Sequence, residues 1–174
     1  MARTDIHDQT SAPTRAGTTG RPTVAGTTTT HRTPLQVASA VVGATFLLVG
    51  IAGFIPGITQ DLDQMEWIGH ESGAELLGLF QVNVTHNIVH LLFGLLGLWA
   101  ATRWTLARTF LIGGGLVYLA LWLYGLVVEL DSAANSVSLN EADNWLHLGL
   151  GLGMVALGAL LGNRREVDVR ERTA

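Results

Sequence analysis

LQVASAVVGATFLLVGIAGFI, residues 35–55, is a run of 21 residues without a charge. A helix needs about 20 apolar residues to cross the hydrocarbon of a bilayer. Three further segments follow the same pattern: 84–101, 109–128 and 145–162, of 18, 20 and 18 residues. Backbone polar groups in lipid must be satisfied within their own segment, so these runs read as helices. The fold class is therefore all-α integral membrane protein, with four transmembrane helices as two tandem hairpins.

Composition points the same way. Of 174 residues, 48% are hydrophobic and only 14% charged, with a mean hydropathy of +0.37. A soluble domain carries about 25% charged residues. The isoelectric point near 5.8 excludes a strongly basic nucleic-acid binder. The absence of cysteine excludes disulfides, thiol catalysis and Cys-ligated metal centres. Residues 1–34 hold eleven Thr among Gly, Pro and Ala, too few large apolar side chains to offset ordering entropy, and read as a disordered cytoplasmic tail. No apolar core follows a short basic start there, so a signal peptide is not expected. Residues 163–174 read as a charged cytoplasmic tail.

All ten basic residues are Arg, and their placement sets an orientation. Arg3, Arg15, Arg21 and Arg32 precede the first segment. Arg103 and Arg108 lie between the second and third. Arg164, Arg165, Arg170 and Arg172 follow the fourth. The other two connections carry none. The positive-inside rule then places both termini in the cytoplasm. Trp99 and Trp104 bracket the inner side, Trp67 and Trp145 the outer. The outer connections hold nine of the fourteen acids, a face that attracts cations, although acids are also simply tolerated there.

The second and fourth segments begin alike. NVTHNIVHLLFGL starts at Asn83 and NEADNWLHLGLGL at Asn140, an offset of 57 residues. This suggests parallel repeats related by an axis along the membrane normal. His86, His90 and Gly94 share one helical stripe, as do Asp143, His147 and Gly151. Polar side chains at such depth should face the bundle or a wet cavity. Asn83, Asn87, Asn140 and Asn144 are read as structural polar caps, Ser138 and Glu141 as a capping box, and the histidines as interhelical glue. The competing reading makes His86, His90, Asp143 and His147 a site for a divalent metal, since two His at i and i+4 with a facing carboxylate suit a transition ion. Haem held by His90 and His147 is less favoured, because the outer side offers no Arg or Lys for propionates. Proton or cation passage is the third reading, opposed by the lack of ionisable residues in the inner halves of the segments.

Small residues mark helix contacts: Gly50 and Gly53, Gly113 to Gly115, Gly149 with Gly153, and Gly158 with Gly162. Tyr118, Trp122 and Tyr124 read as packing and interface anchors. Pro56 and Gly57 should end the first helix. The long outer connection then turns apolar at residues 74–80, which predicts a short amphipathic helix at the membrane surface burying Leu76, Leu77, Leu79 and Phe80. His70, Glu71 and Glu75 could face the same vestibule as the histidines, although a solvated face is the commoner role.

The run GAELLGLFQVN, residues 73–83, with His86, Asn87, Val89, His90 and Leu91 after it, resembles the domain-of-unknown-function family DUF4383. That family consists of small four-helix membrane proteins, found mainly in high-GC Gram-positive bacteria. The resemblance spans about residues 35–162 and implies a multi-pass membrane protein with no assigned activity and no catalytic residue.

The expected function is non-enzymatic, an interaction or accessory role in the bilayer with a homo-oligomer or a membrane-protein partner and no nucleic acid. No P-loop, nucleotide fingerprint, nucleophile elbow or zincin motif is present. Ser39 and Thr45 are the only deep hydroxyls of the first segment and lie far in sequence from any His.

Overall fold

The structure is a computed structural model that describes residue 1 and residues 32–173, with side chains through residue 163. The reading of residues 1–34 as a disordered tail falls largely outside these, and of the charged tail the side chains from residue 164 on do. Four helices carry the fold: α1 (Pro34–Ala52), α2 (Val84–Ala100), α3 (Trp104–Val127) and α4 (Glu141–Thr173). Three are long and apolar enough to cross a membrane, over Pro34–Ala52, Trp104–Val127 and Glu141–Asn163. Only 28–33% of each such stretch is buried inside the protein, so most of each apolar surface faces outward.

Local sequence explains the helix ends. Thr33 caps α1: Gln36 N donates to its Oγ1 at 3.3 Å, the Gln36 side chain returns to Thr33 N at 3.1 Å, and Pro34 opens the first turn. α1 stops at Ala52, before the Pro56 and Gly57 breaker. Its last carbonyls find partners elsewhere: Thr59 Oγ1 donates to Ala52 O at 3.0 Å and Asn87 Nδ2 to Gly53 O at 3.1 Å. α3 starts at Trp104, ahead of the apolar run at 109, and α4 starts at Glu141 and runs past 162. Arginines and acids interrupt apolarity without interrupting backbone hydrogen bonding.

α1 packs chiefly on α2, and α3 on α4. The partners run in opposite directions. Gln36 Nε2 donates to Ala101 O at 3.0 Å, Ser39 Oγ to Gly97 O at 2.9 Å, and Gly53 lies on Asn87. Likewise Gly115 lies on Gly151 while Gly125 lies on Asn144. The core along these seams contains Leu35, Phe46, Phe110, Leu111, Tyr118 and Met154.

The connection from α1 to α2 corrects the expected amphipathic helix. It holds a three-stranded antiparallel sheet of β1 (Thr59–Gln60), β2 (Glu75–Leu76) and β3 (Phe80–Gln81). Leu77 and Gly78 turn the chain with φ of 57° and 65°, which a helix cannot contain. Five apolar residues interrupted by Glu75 and Gly78 are also too few to nucleate a stable helix. Ala74, Leu76 and Val82 point into a small core under Val49 and Ala52, whereas Leu77 and Leu79 are exposed rather than buried. The inward residues sit at even positions, the period of a strand.

Candidate functional site

The site grows from two matched helix starts. Asn83 heads α2, and its Oδ1 accepts from His86 N at 2.8 Å. Its Nδ2 donates to Gly69 O and Ser136 O, both at 3.2 Å, so one fully buried side chain ties together the two connections at this end. Asn140 heads α4: its Oδ1 accepts from Asp143 N at 2.9 Å, and its own N–H donates to Asp143 Oδ2 at 3.1 Å. Asn140 and Asp143 form this capping box, which corrects the assignment to Ser138 and Glu141. Ser138 sits in the left-handed region at φ 57° with its hydroxyl oxygen buried and unpartnered. Asn140 Nδ2 also reaches Leu79 O at 2.9 Å, across to the β2–β3 turn. Asn87 and Asn144 are not caps. Each is wedged against a glycine of the neighbouring helix, Gly53 and Gly125 respectively.

One turn deeper, three histidine rings gather. His86 and His90 have centroids 4.6 Å apart, and His86 and His147 6.4 Å. All three are buried. His86 Nδ1 donates to Val137 O at 3.1 Å. A run of ring contacts links the other two: His90 stacks on Phe46 at 5.6 Å, Phe46 on Tyr118 at 5.3 Å, and Tyr118 meets His147 edge-on at 5.2 Å. Asp143, the fourth member of the sequence set, accepts from Asn140 N through Oδ2 at the α4 cap. Among the described residues, no group of three or more His, Asp or Glu side chains is disposed to hold a metal ion. His70 and Glu75 are half-buried and Glu71 is exposed, all in the segment around the sheet.

The histidines belong to a larger repeat than the 57-residue offset revealed. α1 and α3 also match, at an offset of 72 residues. Gly43 meets Gly94, and Gly115 meets Gly151: a Cβ on Gly43 would lie 2.9 Å from Gly94 O, and one on Gly115 2.8 Å from Gly151 O. Phe46 accompanies His90 as Tyr118 accompanies His147. Gly53 accepts Asn87 as Gly125 accepts Asn144. The same atoms are left without partners in both halves, Asn87 Oδ1 with His90 Nδ1 and Asn144 Oδ1 with His147 Nδ1. Sequence reasoning missed the 72-residue match because its signal is two glycines and one aromatic, scattered over eleven residues of a Gly-rich chain. The other expected glycine contacts divide. Gly50, Gly114, Gly158 and Gly162 face neighbouring side chains, while Gly113, Gly149 and Gly153 face open space.

Outward apolar helices around a small buried polar centre define a helical membrane protein. The chain belongs to the family described as Domain of unknown function (DUF4383), whose model matches residues 36–160. No curated protein and no solved structure matches it.

Proposed function

We propose that the chain is a four-span protein of the bacterial plasma membrane, built as two tandem helical hairpins with both termini cytoplasmic, and that it serves a non-enzymatic accessory role. α2 is the shortest helix, with 17 residues. At 1.5 Å per residue it extends about 25 Å, the lower end of a crossing length. Its packing along α1 supports the fourth span, because a helix seated along a spanning helix shares its depth. Its outward Leu92, Leu95 and Leu96 are as apolar as those of its neighbours. The arginine pattern supports the orientation.

One observation carries the accessory role. The polar side chains of the repeat are largely committed to the fold itself: Asn83, Asn140 and Asp143 to caps, His86 to a loop carbonyl, Asn87 to the end of α1. A partner, another copy or a different membrane protein, would then meet the outward apolar faces.

The chain has no natural cysteine, so single cysteines report topology cleanly. Cysteine at Ser132 or Gly69 should react with a membrane-impermeant maleimide in intact cells, and cysteine at Thr102 only after permeabilisation. Labelling of Thr102→Cys in intact cells overturns the orientation. The role has its own test. Protein purified without a metal column should carry no stoichiometric metal, leave an ion gradient across liposomes intact, and co-purify with a partner after crosslinking in cells. One metal per chain, or gradient collapse, sinks the accessory reading.

A further inference from the structure

The two halves of the repeat differ in one respect. Beside His90 lies a cavity of about 220 Å³ between α1 and α4. Phe46 and His90 form its depth, Val42, Leu146 and Leu150 its walls, and Thr45 its exposed rim. Beside α3, at positions matching Val42, Thr45 and Leu150, stand Gly114, Val117 and Phe93. The cavity they line runs instead toward Trp99 and Leu106 and does not reach His147. Of two histidines that the repeat makes equivalent, His90 borders the α1–α4 cavity and His147 lines neither of these two.

His90 is buried, with 7% of its surface exposed, and its Nδ1 has no hydrogen-bond partner. Buried polar atoms without partners are rare in native proteins. Bulk water is not at hand, because the rim residues Val41 and Thr45 sit midway along an apolar helix. The Thr45 hydroxyl is already donated to Val41 O at 2.9 Å. A partner for His90 must therefore arrive with something that dissolves in lipid. The available space is below the roughly 300–1,000 Å³ of sites that enclose a whole drug-sized ligand. It suits one ring, with any tail left between α1 and α4.

We propose that the crevice between α1 and α4 is a binding site for the ring of a lipid-soluble quinone, with a quinone carbonyl accepting a hydrogen bond from the His90 imidazole and the isoprenoid tail leaving into the bilayer. An acyl chain would fill the space but leave the imidazole unpaired. The site rests on the membrane reading of the helices, which cysteine labelling tests separately.

The test uses full-length protein in non-ionic detergent and a benzoquinone bearing a ten-carbon tail, with binding measured above a micelle-only background. Wild type should bind saturably, close to one per chain. His90→Phe keeps the stacked ring and removes the nitrogens. It should weaken binding about tenfold or more, the scale of one hydrogen bond to a buried group. Thr45→Phe blocks the rim from a lipid-facing position and should weaken binding comparably, which keeps the test sound if His90→Phe does not fold. His147→Phe should stay near the wild-type value. Absence of saturable binding to monodisperse wild type overturns the proposal. So does equal weakening by His90→Phe and His147→Phe. Decane competing as well as the quinone would make the crevice an acyl-chain groove, which also overturns it.

Discussion

The α1–α2 and α3–α4 halves of this protein repeat the same contacts with different side chains around them. Both cross at a glycine pair, Gly43 with Gly94 and Gly115 with Gly151. Both wedge an Asn under a glycine near the end of the preceding helix. Both set an aromatic ring against a histidine, Phe46 in one half and Tyr118 in the other. They diverge at the helix starts, where His86 corresponds to Asp143, and in the connections, where a small sheet corresponds to an irregular loop. The comparison teaches which features are geometric necessities. Backbones this close exclude any side chain, so glycine stands at all four crossing positions. Caps need only an oxygen at the right place, so the residue three positions into each helix is free to differ.

The largest break in the comparison should come at the crossings. Leucine at Gly43 must displace the α2 backbone, since even a Cβ there would lie 2.7 Å from Leu98 N. Overpacking typically costs about 1–3 kcal/mol when side chains can yield, and backbone yields less. Gly43→Leu and Gly115→Leu should both abolish monodisperse protein in detergent, seen by size-exclusion chromatography. Tolerance of one but not the other would show that the halves are not packed alike.

A smaller effect should separate the two caps. Loss of an N-cap side chain costs about 0.5–2 kcal/mol. Asn83→Ala also removes two bonds between connections, whereas Asn140→Ala removes one, to the β2–β3 turn. Thermal denaturation in detergent should therefore rank Asn83→Ala below Asn140→Ala, with both below wild type. The reverse order would mean that Asn83 does not join the connections.

The smallest effect lies on the exposed turn of the sheet, which exists in one half only. Leu76 is buried, and Leu→Ala in a core costs about 2–5 kcal/mol where the site is well packed. A small satellite core should sit at the low end of that range. Leu77→Ala, on the exposed turn, should stay within about 0.5 kcal/mol of wild type. Equal losses at the two positions would restore the amphipathic helix in place of the strands.

Much of this was legible in the residues. Uncharged runs near bilayer length name helices, because lipid supplies no hydrogen bonds to any other backbone. Asn83 ahead of an apolar run reads as a cap for the same local reason. The stripe of His86 and His90 follows from helical period alone. What lay beyond reach was long-range. Residues 74–80 have apolar content suited to either a surface helix or a strand, and the pairing of Leu76 with Thr59 and Phe80 decided it. Asp143 reads as a metal ligand candidate in the sequence, and only the structure shows its Oδ2 accepting from Asn140 N, three residues back.

The sequence by itself therefore determined a membrane-spanning helical character, a repeat in the second and fourth helices and an inward polar stripe. Each depends on composition and on periods of a few residues. Only the tertiary structure decided that α1 and α3 share the repeat, that three histidine rings gather beneath the caps, and that His90 borders the cavity between α1 and α4. Those outcomes depend on which backbones approach one another. A glycine whose Cβ would lie 2.9 Å from a carbonyl 51 residues away leaves no local mark in the chain.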